Sequence, residues 1–195
     1  MKYDLYDFDK TVYPHDSETV FLVKSMLKRP WLWFLAPYQA VCITLFMLGY
    51  GDKYKGKCFV FLRFTDCDKL VKKFWEKEEK KIYPFFAKEN RGFPTLVCSA
   101  SPEFLVEPIC RKYGVEKVIA TRIDKKGRMH GRNCKDDEKV NRIRKAMPDA
   151  EFRKVFSDNL SSDIHIFRIG ETCFHADKGT LTEMTLEEIE KRINE

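Results

Sequence analysis

The sequence of 195 residues predicts an α/β fold, a Rossmann-like parallel sheet interrupted by an all-helical insertion. Apolar runs of strand length alternate with helical stretches over residues 89–195, a pattern typical of parallel βαβ units. Residues 15–88 break this alternation and have helical periodicity throughout. A hydrophobic content of 44%, with 14% aromatic residues, favours a substantial core. Residues 1–14 and 89–195 are therefore predicted to form one domain, and residues 15–88 an insertion in it.

The predicted strands are short apolar runs bounded by polar or turn-forming residues. They cover residues 2–8, 95–99, 117–121, 152–157 and 171–175. Helices are predicted over residues 102–113, 135–147 and 160–168, and a β-hairpin excursion over 121–133. A capping box at Thr185 and Glu188 opens the last helix.

Four helices are predicted in the insertion, over Ser17–Lys28, 31–49, 52–64 and 66–83. The last one is amphipathic, with lysines and glutamates opposite an apolar stripe. The stripe consists of Leu70, Val71, Phe74, Trp75 and Ile82.

The most informative motif is Asp-x-Asp-x-Thr, formed by Asp7, Asp9 and Thr11 at the end of the first predicted strand. In open α/β sheets, ligands bind in the crevice beyond the carboxyl ends of the strands. Two acids and a hydroxyl at this position therefore indicate a polar site. A helix cap or an acidic turn would explain the motif if it stood alone.

A hydroxyl ends the second predicted strand. Ser99 closes the apolar run and lies in the turn before a helix, where free backbone N–H groups favour an anion. Ser101 is predicted to be the N-cap of that helix, and Pro102 to be its first residue.

Two further segments add a lysine and a pair of acids. Lys139 enters a basic predicted helix, with Lys135 as an alternative for the same role. Asp158 follows the next apolar run, and Asp163 lies five residues later. A surface loop would explain the two acids alone, but the ordered set of four segments is far more specific.

In this order, the four segments resemble the motifs of the haloacid dehalogenase superfamily of phosphatases, and the resemblance extends over nearly the whole chain. The family places Asp-x-Asp-x-Thr after a strand, then a serine or threonine, then a lysine at the head of a helix, then an acid pair. The resemblance implies a catalytic core formed by residues 1–14 and 89–195. It also implies that residues 15–88 form a helical cap that closes over the site.

The resemblance implies an enzyme, a phosphoric monoester hydrolase that forms an aspartyl-phosphate. Asp7 would attack phosphorus. Asp9 would donate a proton to the leaving group and then take one from the hydrolytic water. Ser99, Thr11 and Lys139 would bind the phosphoryl oxygens.

A Mg²⁺ cofactor is implied as well, because several ionised carboxylates this close repel one another and Mg²⁺ prefers oxygen ligands. The expected ligands are Asp7, the backbone carbonyl of Asp9, and Asp158. Asp163 would support the water shell of the metal or orient Lys139.

Two residues are expected near the substrate. Asp16 lies nine residues after the nucleophile, where phosphoserine phosphatases place a glutamate that holds the substrate's ammonium; an N-cap of the following helix explains it equally well. Asn159 stands where many relatives carry serine. Ala100 and Ser101 replace the glycine pair that follows the second motif in phosphoserine phosphatases, which argues against phosphoserine as the substrate.

The stretch from Pro30 to Gly51 contains no charged residue over 22 positions. A single transmembrane span would put the motifs on opposite sides of a membrane, so two interpretations stay open: a helix packed in the insertion, or an element resting on a bilayer. Aromatic residues that favour the bilayer interface are Trp31, Trp33, Phe34 and Tyr38. Flanking residues that would suit anionic headgroups are Lys24, Lys28, Arg29, Lys53, Lys55 and Lys57.

A narrower resemblance bears on this stretch. The order Asp-x-Asp-x-Thr, Asp16-Ser17, Arg29-Pro30 and an apolar run is similar to bacterial phosphatidylglycerophosphatase C and its relatives. Those proteins have a hydrophobic cap and act on a lipid phosphate.

Composition argues against several other classes of protein. Seven cysteines without CxxC spacing favour a reducing cytoplasm over a disulfide framework or a zinc site. The net charge of +6 does not indicate nucleic-acid binding, because both charge signs are abundant and no nucleic-acid-binding signature is present.

The sequence thus predicts a cytoplasmic, Mg²⁺-dependent phosphomonoesterase that acts on a small phosphorylated metabolite or a lipid phosphate. Peripheral contact of residues 30–51 with the inner face of the membrane stays open, as does the oligomeric state. The alternatives are a phosphoserine phosphatase-type enzyme and a membrane-docking protein with a vestigial phosphatase site.

Overall fold

A computed structural model describes all 195 residues and contains one six-stranded sheet with the order β3-β2-β1-β4-β5-β6. The strands are β1 (Lys2–Tyr6), β2 (Thr95–Pro102), β3 (Lys117–Thr121), β4 (Glu151–Ser157), β5 (Gly170–Asp177) and β6 (Thr180–Met184). All neighbours are parallel except β5 and β6. The predicted α/β class is confirmed, and β6 is a strand that the sequence interpretation missed.

Helices cover both faces of the sheet. They are α1 (Ser17–Leu27), α2 (Ala36–Met47), α3 (Lys53–Lys57), α4 (Cys67–Glu78), α5 (Glu103–Lys112), α6 (Asp137–Ala146), α7 (Ile164–Phe167) and α8 (Leu186–Asn194). The predicted capping box at Thr185 and Glu188 opens α8. The predicted helix over 160–168 is confined to the single turn of α7.

The central strand β1 sends successive side chains to opposite faces, as the period of a strand requires. Leu5 pairs in register with Leu96 and Val155, and all three belong to the cluster beneath α6, α7 and α8. Tyr6 faces the other way, into a cluster that contains Leu105 of α5 and much of the insertion. The strand therefore ends at the middle of a sheet that is buried on both faces.

Every element between β1 and β2 is helical, as predicted, but the helices are shorter. Instead of one helix over 31–49, a 3₁₀ segment at Pro30–Leu35 precedes α2, because prolines interrupt the run. The predicted helix over 52–64 is broken into α3 and a 3₁₀ turn at Val60–Phe64.

The amphipathic helix predicted over 66–83 ends earlier, as α4 at Glu78, and a 3₁₀ turn continues it to Lys81. Pro84 disfavours helical geometry at Tyr83. The backbone N–H of Tyr83 instead donates to the carbonyl of Val12, which follows the first motif, at 3.0 Å. This bond ties the end of the insertion to the loop after β1.

The insertion and the sheet share one hydrophobic cluster. It unites Phe8 after β1, Phe21 of α1, Trp75 of α4 and Leu105 of α5. The indole N–H of Trp75 donates to the carbonyl of Leu105 at 2.7 Å. The domain limits at residues 14 and 89 stay a prediction.

One further difference concerns the start of α5. Strand β2 continues to Pro102, and α5 begins at Glu103 with Pro102 as its N-cap. The prediction that Ser101 caps this helix and that Pro102 is its first residue is wrong. The predicted excursion over 121–133 contains an antiparallel bridge between Ile123 and Met129.

Candidate active site

Asp7 is the first residue after the central strand and is only 7% exposed. Its backbone N–H donates to the carbonyl of Phe156 in β4 at 2.9 Å, which fixes the residue against the neighbouring strand. Because β2 and β4 flank β1 and run parallel to it, the residues at their carboxyl ends meet around Asp7.

Lys139 reaches this position from the first turn of α6. Its buried ammonium lies 2.6 Å from Oδ1 of Asp7 and 2.7 Å from Oδ1 of Asp163. The Lys135 side chain is 54% exposed and lies near Asp136. The structure therefore brings Lys139, and not Lys135, to Asp7.

Thr11 connects the first motif to the fourth. Its hydroxyl lies 3.4 Å from Oδ2 of Asp7 and 3.3 Å from Oδ1 of Asp158. The backbone N–H of Asp158 donates to the same hydroxyl at 2.9 Å. Two carboxylates separated by 151 positions of sequence thus converge on one hydroxyl group. The turn that allows this passes through Lys10, which has a φ of 58°.

Asp163 holds the ammonium of Lys139 in position. The hydroxyl of Ser157 donates to Oδ2 of Asp163 at 2.5 Å, and Lys139 donates to the same oxygen at 2.9 Å. Asn159 is exposed, and its amide oxygen accepts a hydrogen bond from the backbone N–H of Ser162. That bond stabilises the turn between Asp158 and Asp163.

The carboxylate of Asp9 is held by two donors. It accepts from the backbone N–H of Ser17 at 2.8 Å and from the hydroxyl of Ser101. Burial, and next the charge of Asp16, raise the pKa of Asp9 to about 6, while the two serine donors oppose the rise. Ser101, predicted to be a helix cap, is instead a hydrogen-bond partner of the first motif.

Ser99 is fully buried in β2 and accepts a hydrogen bond from the backbone N–H of Ser101 at 3.0 Å. None of its hydrogen bonds goes to Asp7 or Lys139. Asp16 is the N-cap of α1 and accepts from the backbone N–H of Thr19 at 2.8 Å.

An excess of negative charge surrounds Lys139. Burial raises the pKa of Asp7 well above its usual range; Lys139 opposes this, and Asp163 and Asp158 add to it. Burial, followed by the charge of Asp163, also raises the pKa of Asp158. Burial alone would lower the pKa of Lys139, but Asp163 and Asp7 raise it well above its ordinary value. Two carboxylates contact the Lys139 ammonium, and a third, that of Asp158, lies beside Asp7 at Thr11; this excess of negative charge favours a further cation.

The profile of the haloacid dehalogenase-like hydrolase family matches residues 5–168 of the chain. The chain belongs to this family. The predicted membership, and with it the prediction of an enzyme, is confirmed. No curated protein matches the chain.

Solved structures share the fold of this haloacid dehalogenase-like hydrolase. A protein of unknown function from Bordetella pertussis Tohama I superposes with a TM-score of 0.63 at 16% identity, covering 86% of each chain. A phosphoserine phosphohydrolase-like protein from Francisella tularensis subsp. tularensis SCHU S4 has a TM-score of 0.57 at 19% identity, covering 89% of this chain and 86% of that one. An apo phosphoserine phosphatase has a TM-score of 0.54 at 18% identity, covering 88% and 84%.

The donor set of the hydrolase suits a small hard cation. No three Asp, Glu, His or Cys side chains form a preformed metal cage. Mg²⁺, however, keeps several waters and is commonly held by one or two carboxylates. Asp7 and Asp158, which meet at the Thr11 hydroxyl, provide such a pair.

Three serines that hold carboxylates of the hydrolase's expected site were not predicted from the sequence to do so. Ser101 and Ser157 donate through their hydroxyls to Asp9 and Asp163, and Ser17 donates to Asp9 through its backbone N–H. The only signal was their position next to motif residues, since a serine in a turn usually bonds locally.

Proposed function

We propose that the protein is a Mg²⁺-dependent phosphomonoester hydrolase that acts through an aspartyl-phosphate on Asp7. The observation that carries this proposal is the contact of a buried lysine with the carboxylate of the first motif, beside a second carboxylate from the fourth. Phosphoryl transfer needs a positioned nucleophile and cationic compensation more than covalent machinery. Both requirements are met by side chains that the sheet brings together.

In the first step, a carboxylate oxygen of Asp7 forms a bond to phosphorus while the bond from phosphorus to the leaving oxygen breaks. Asp9 gives its proton to that oxygen. In the second step, Asp9 takes a proton from water as the water attacks phosphorus, which releases inorganic phosphate and restores the Asp7 carboxylate. The Ser17 and Ser101 donors hold Asp9 in place for both transfers.

Charge on the phosphoryl oxygens is balanced by Lys139, and Ser99 and Thr11 are the proposed hydrogen-bond donors to them. Asp163 keeps Lys139 oriented, as its contact at 2.7 Å supports. Asp7, Asp158 and the backbone carbonyl of Asp9 would hold Mg²⁺. The ion would neutralise the carboxylates and polarise the phosphoryl group.

The replacement Asp7→Asn tests the proposal. It removes the nucleophilic oxygen with little change of shape, so hydrolysis of a generic aryl phosphate is expected to vanish while the fold is retained. Asp149→Asn, at an exposed carboxylate, is the control and should behave as wild type. Activity retained by Asp7→Asn would show that the nucleophile is misassigned.

The substrate we propose is a small phosphorylated metabolite or a lipid phosphate. A phosphoserine phosphatase-type activity is less well supported, because Asp16 caps α1 and the Ser101 hydroxyl occupies the place of the second glycine. Asn159, a tentative substrate contact, uses its amide oxygen in a turn. A screen of phosphorylated metabolites beside phosphatidylglycerophosphate would separate these classes.

We also propose a cytoplasmic protein whose insertion contacts the inner face of the membrane. Pro30–Met47 is the one helical run long and apolar enough to span a bilayer, and only 17% of it is buried. Two of the basic residues expected to meet headgroups are engaged elsewhere, since Lys55 is buried against Glu18 and Lys24 is paired with Glu78. The exposed side chains of this run support contact with an apolar phase over packing in the insertion.

Flotation with liposomes tests the membrane contact. Trp31→Ala with Trp33→Ala should abolish flotation, whereas Phe93→Ala, at an exposed aromatic residue outside the insertion, should not. A docking protein with a vestigial site would float and show no turnover with any phosphomonoester. Failure of the folded wild type to float would remove both the membrane contact and the lipid substrate.

A further inference from the structure

A cleft of about 500 Å³ lies between the end of α1 and α4 in the helical insertion. Two acidic side chains line it, Glu76 and Glu78, against five basic ones. The basic residues are Lys24, Lys28, Arg29, Lys73 and Lys77. No lining residue belongs to the site around Asp7, so the cleft is a separate feature of the molecule.

Most of this positive charge is unpaired. Lys24 is paired with Glu78, whose second oxygen accepts from Lys81 at 2.9 Å. The other four basic side chains of the cleft make no ion pair with any carboxylate. Because like charges gathered in one concave surface concentrate the local field, the cleft attracts an anion.

Two of the unpaired ammonium groups line the cleft from different elements: Lys28 is the C-cap of α1, and Lys77 lies in the last turn of α4. Burial, and after it the charge of Lys77, lower the pKa of Lys28, and the charges of Lys24 and Arg29 act in the same direction. An anion between Lys28 and Lys77 would relieve this repulsion. A phosphate group suits the position, since its oxygens can accept from both ammoniums and from the guanidinium fork of Arg29.

Exposed apolar side chains begin where the cleft ends. Arg29 leads into the 3₁₀ segment, in which Trp31 and Trp33 are 56% and 54% exposed. Leu27, on the α1 side, is 64% exposed. The indole N–H of Trp33 donates to the carbonyl of Met26 at 3.1 Å, which holds this segment against the end of α1. Aromatic residues beside free basic groups are typical of proteins at an anionic bilayer surface.

We propose that this cleft binds the phosphate group of an anionic lipid headgroup while the neighbouring apolar side chains enter the bilayer interface. The lipid held there acts as an anchor and is not the molecule that is hydrolysed. This inference rests on the proposed membrane contact and is independent of the phosphatase activity.

Flotation of the full chain with two kinds of vesicle tests the cleft. Wild type is expected to float with phosphatidylcholine vesicles that contain phosphatidylglycerol, and much less with phosphatidylcholine alone. Lys28→Glu with Lys77→Glu should lower the bound fraction about tenfold or more. The control variant, Lys145→Glu with Lys178→Glu, changes the net charge by the same amount at two exposed lysines outside the insertion. It should float as wild type.

The outcomes separate the competing explanations. Equal flotation of wild type and the Lys28/Lys77 variant would overturn the cleft while leaving the membrane contact intact. No flotation of wild type would overturn both, whatever its activity toward an aryl phosphate. A third outcome is that inorganic phosphate stabilises wild type but not the Lys28/Lys77 variant, while wild type does not float. The cleft would then bind a soluble anion, and the proposal of a lipid ligand would be overturned.

Circular dichroism of each variant shows whether the fold is retained. Lys28→Gln with Lys77→Gln offers a milder replacement, which removes the mutual repulsion without introducing new carboxylates. It should weaken flotation in the same direction, and flotation equal to wild type would again exclude the cleft.

Discussion

The ammonium of Lys139 lies 2.6 Å from Oδ1 of Asp7, although 132 positions separate the two residues in the chain. Both side chains are almost completely buried. A buried ion pair of this kind is costly to form and is strongly destabilising to break. Its presence at the carboxyl end of the central strand is therefore best explained by the chemistry proposed for Asp7.

Replacing each candidate lysine tests this relationship. Lys139→Ala should lower kcat for an aryl phosphate by about 100-fold or more, because the charge that compensates the phosphoryl oxygens is lost. Lys135→Ala removes an exposed lysine and should leave kcat close to that of wild type. Thermal denaturation of both variants must accompany the kinetics, since Lys139→Ala also leaves Asp7 and Asp163 unpaired. Equal losses in the two variants would contradict the assignment.

Removal of divalent cations should abolish the activity of the enzyme. Without a metal ion, Lys139 is the only buried positive charge near Asp7, Asp158 and Asp163. Burial and mutual repulsion then raise the pKa values of Asp7 and Asp158, which disfavours the ionised form of the nucleophile. EDTA is expected to abolish hydrolysis and added Mg²⁺ to restore it, as measured by phosphate release. Full activity after exhaustive chelation would speak against a metal at this site.

Ser101 offers a test of the proton-transfer role of Asp9. Ser101→Ala removes one of the two donors that hold the carboxylate, and a loss of about tenfold in kcat corresponds to one such hydrogen bond. The loss should be larger for alkyl phosphates than for aryl phosphates, because a poor leaving group depends more on the donated proton. Ser161→Ala, at an exposed serine, serves as the control. An equal loss for both classes of substrate would indicate a merely structural role.

Glu78 makes the stability of the protein sensitive to acid. Burial raises its pKa, but donors from Lys24, Tyr13 and Lys81 outweigh burial and bring the pKa to about 2, below the ordinary 4.5. A depressed carboxylate pKa stabilises the fold above pH 4.5, and this contribution is lost as pH falls toward 2. This contribution to the free energy of unfolding is below about 3 kcal/mol, because the Lys24 and Lys81 side chains are 40% and 38% exposed and solvent screens their charges.

Chemical denaturation between pH 6 and about pH 3 measures this effect. The free energy of unfolding of Glu78→Gln should depend less on pH over this window than that of wild type. Glu76→Gln, at an exposed position of the same helix, should follow wild type. Parallel curves for wild type and Glu78→Gln would rule out Glu78 as the titrating group.

Part of the fold follows directly from local pattern. Alternating apolar runs predicted five of the six strands, because a buried parallel strand needs a continuous apolar segment. Strand β6 was missed, since it lies at the edge of the sheet and three of its five residues are exposed. Helix limits in the insertion were overextended wherever proline or a tertiary contact ended the helix, as at Tyr83.

The order of the site can be read from local pattern alone: two acids and a threonine, a serine, a lysine and two more acids, each at the end of an element. A few residues beside apolar runs are enough to show that order. Which of these residues touch depends on how the distant segments pack. Parallel pairing of β1 with β4 brings Asp158 to Thr11, and the phase of α6 directs Lys139 inward, whereas Lys135, which precedes α6, stays in solvent. Such choices depend on strand order and helix phase, which arise only when distant segments pack together.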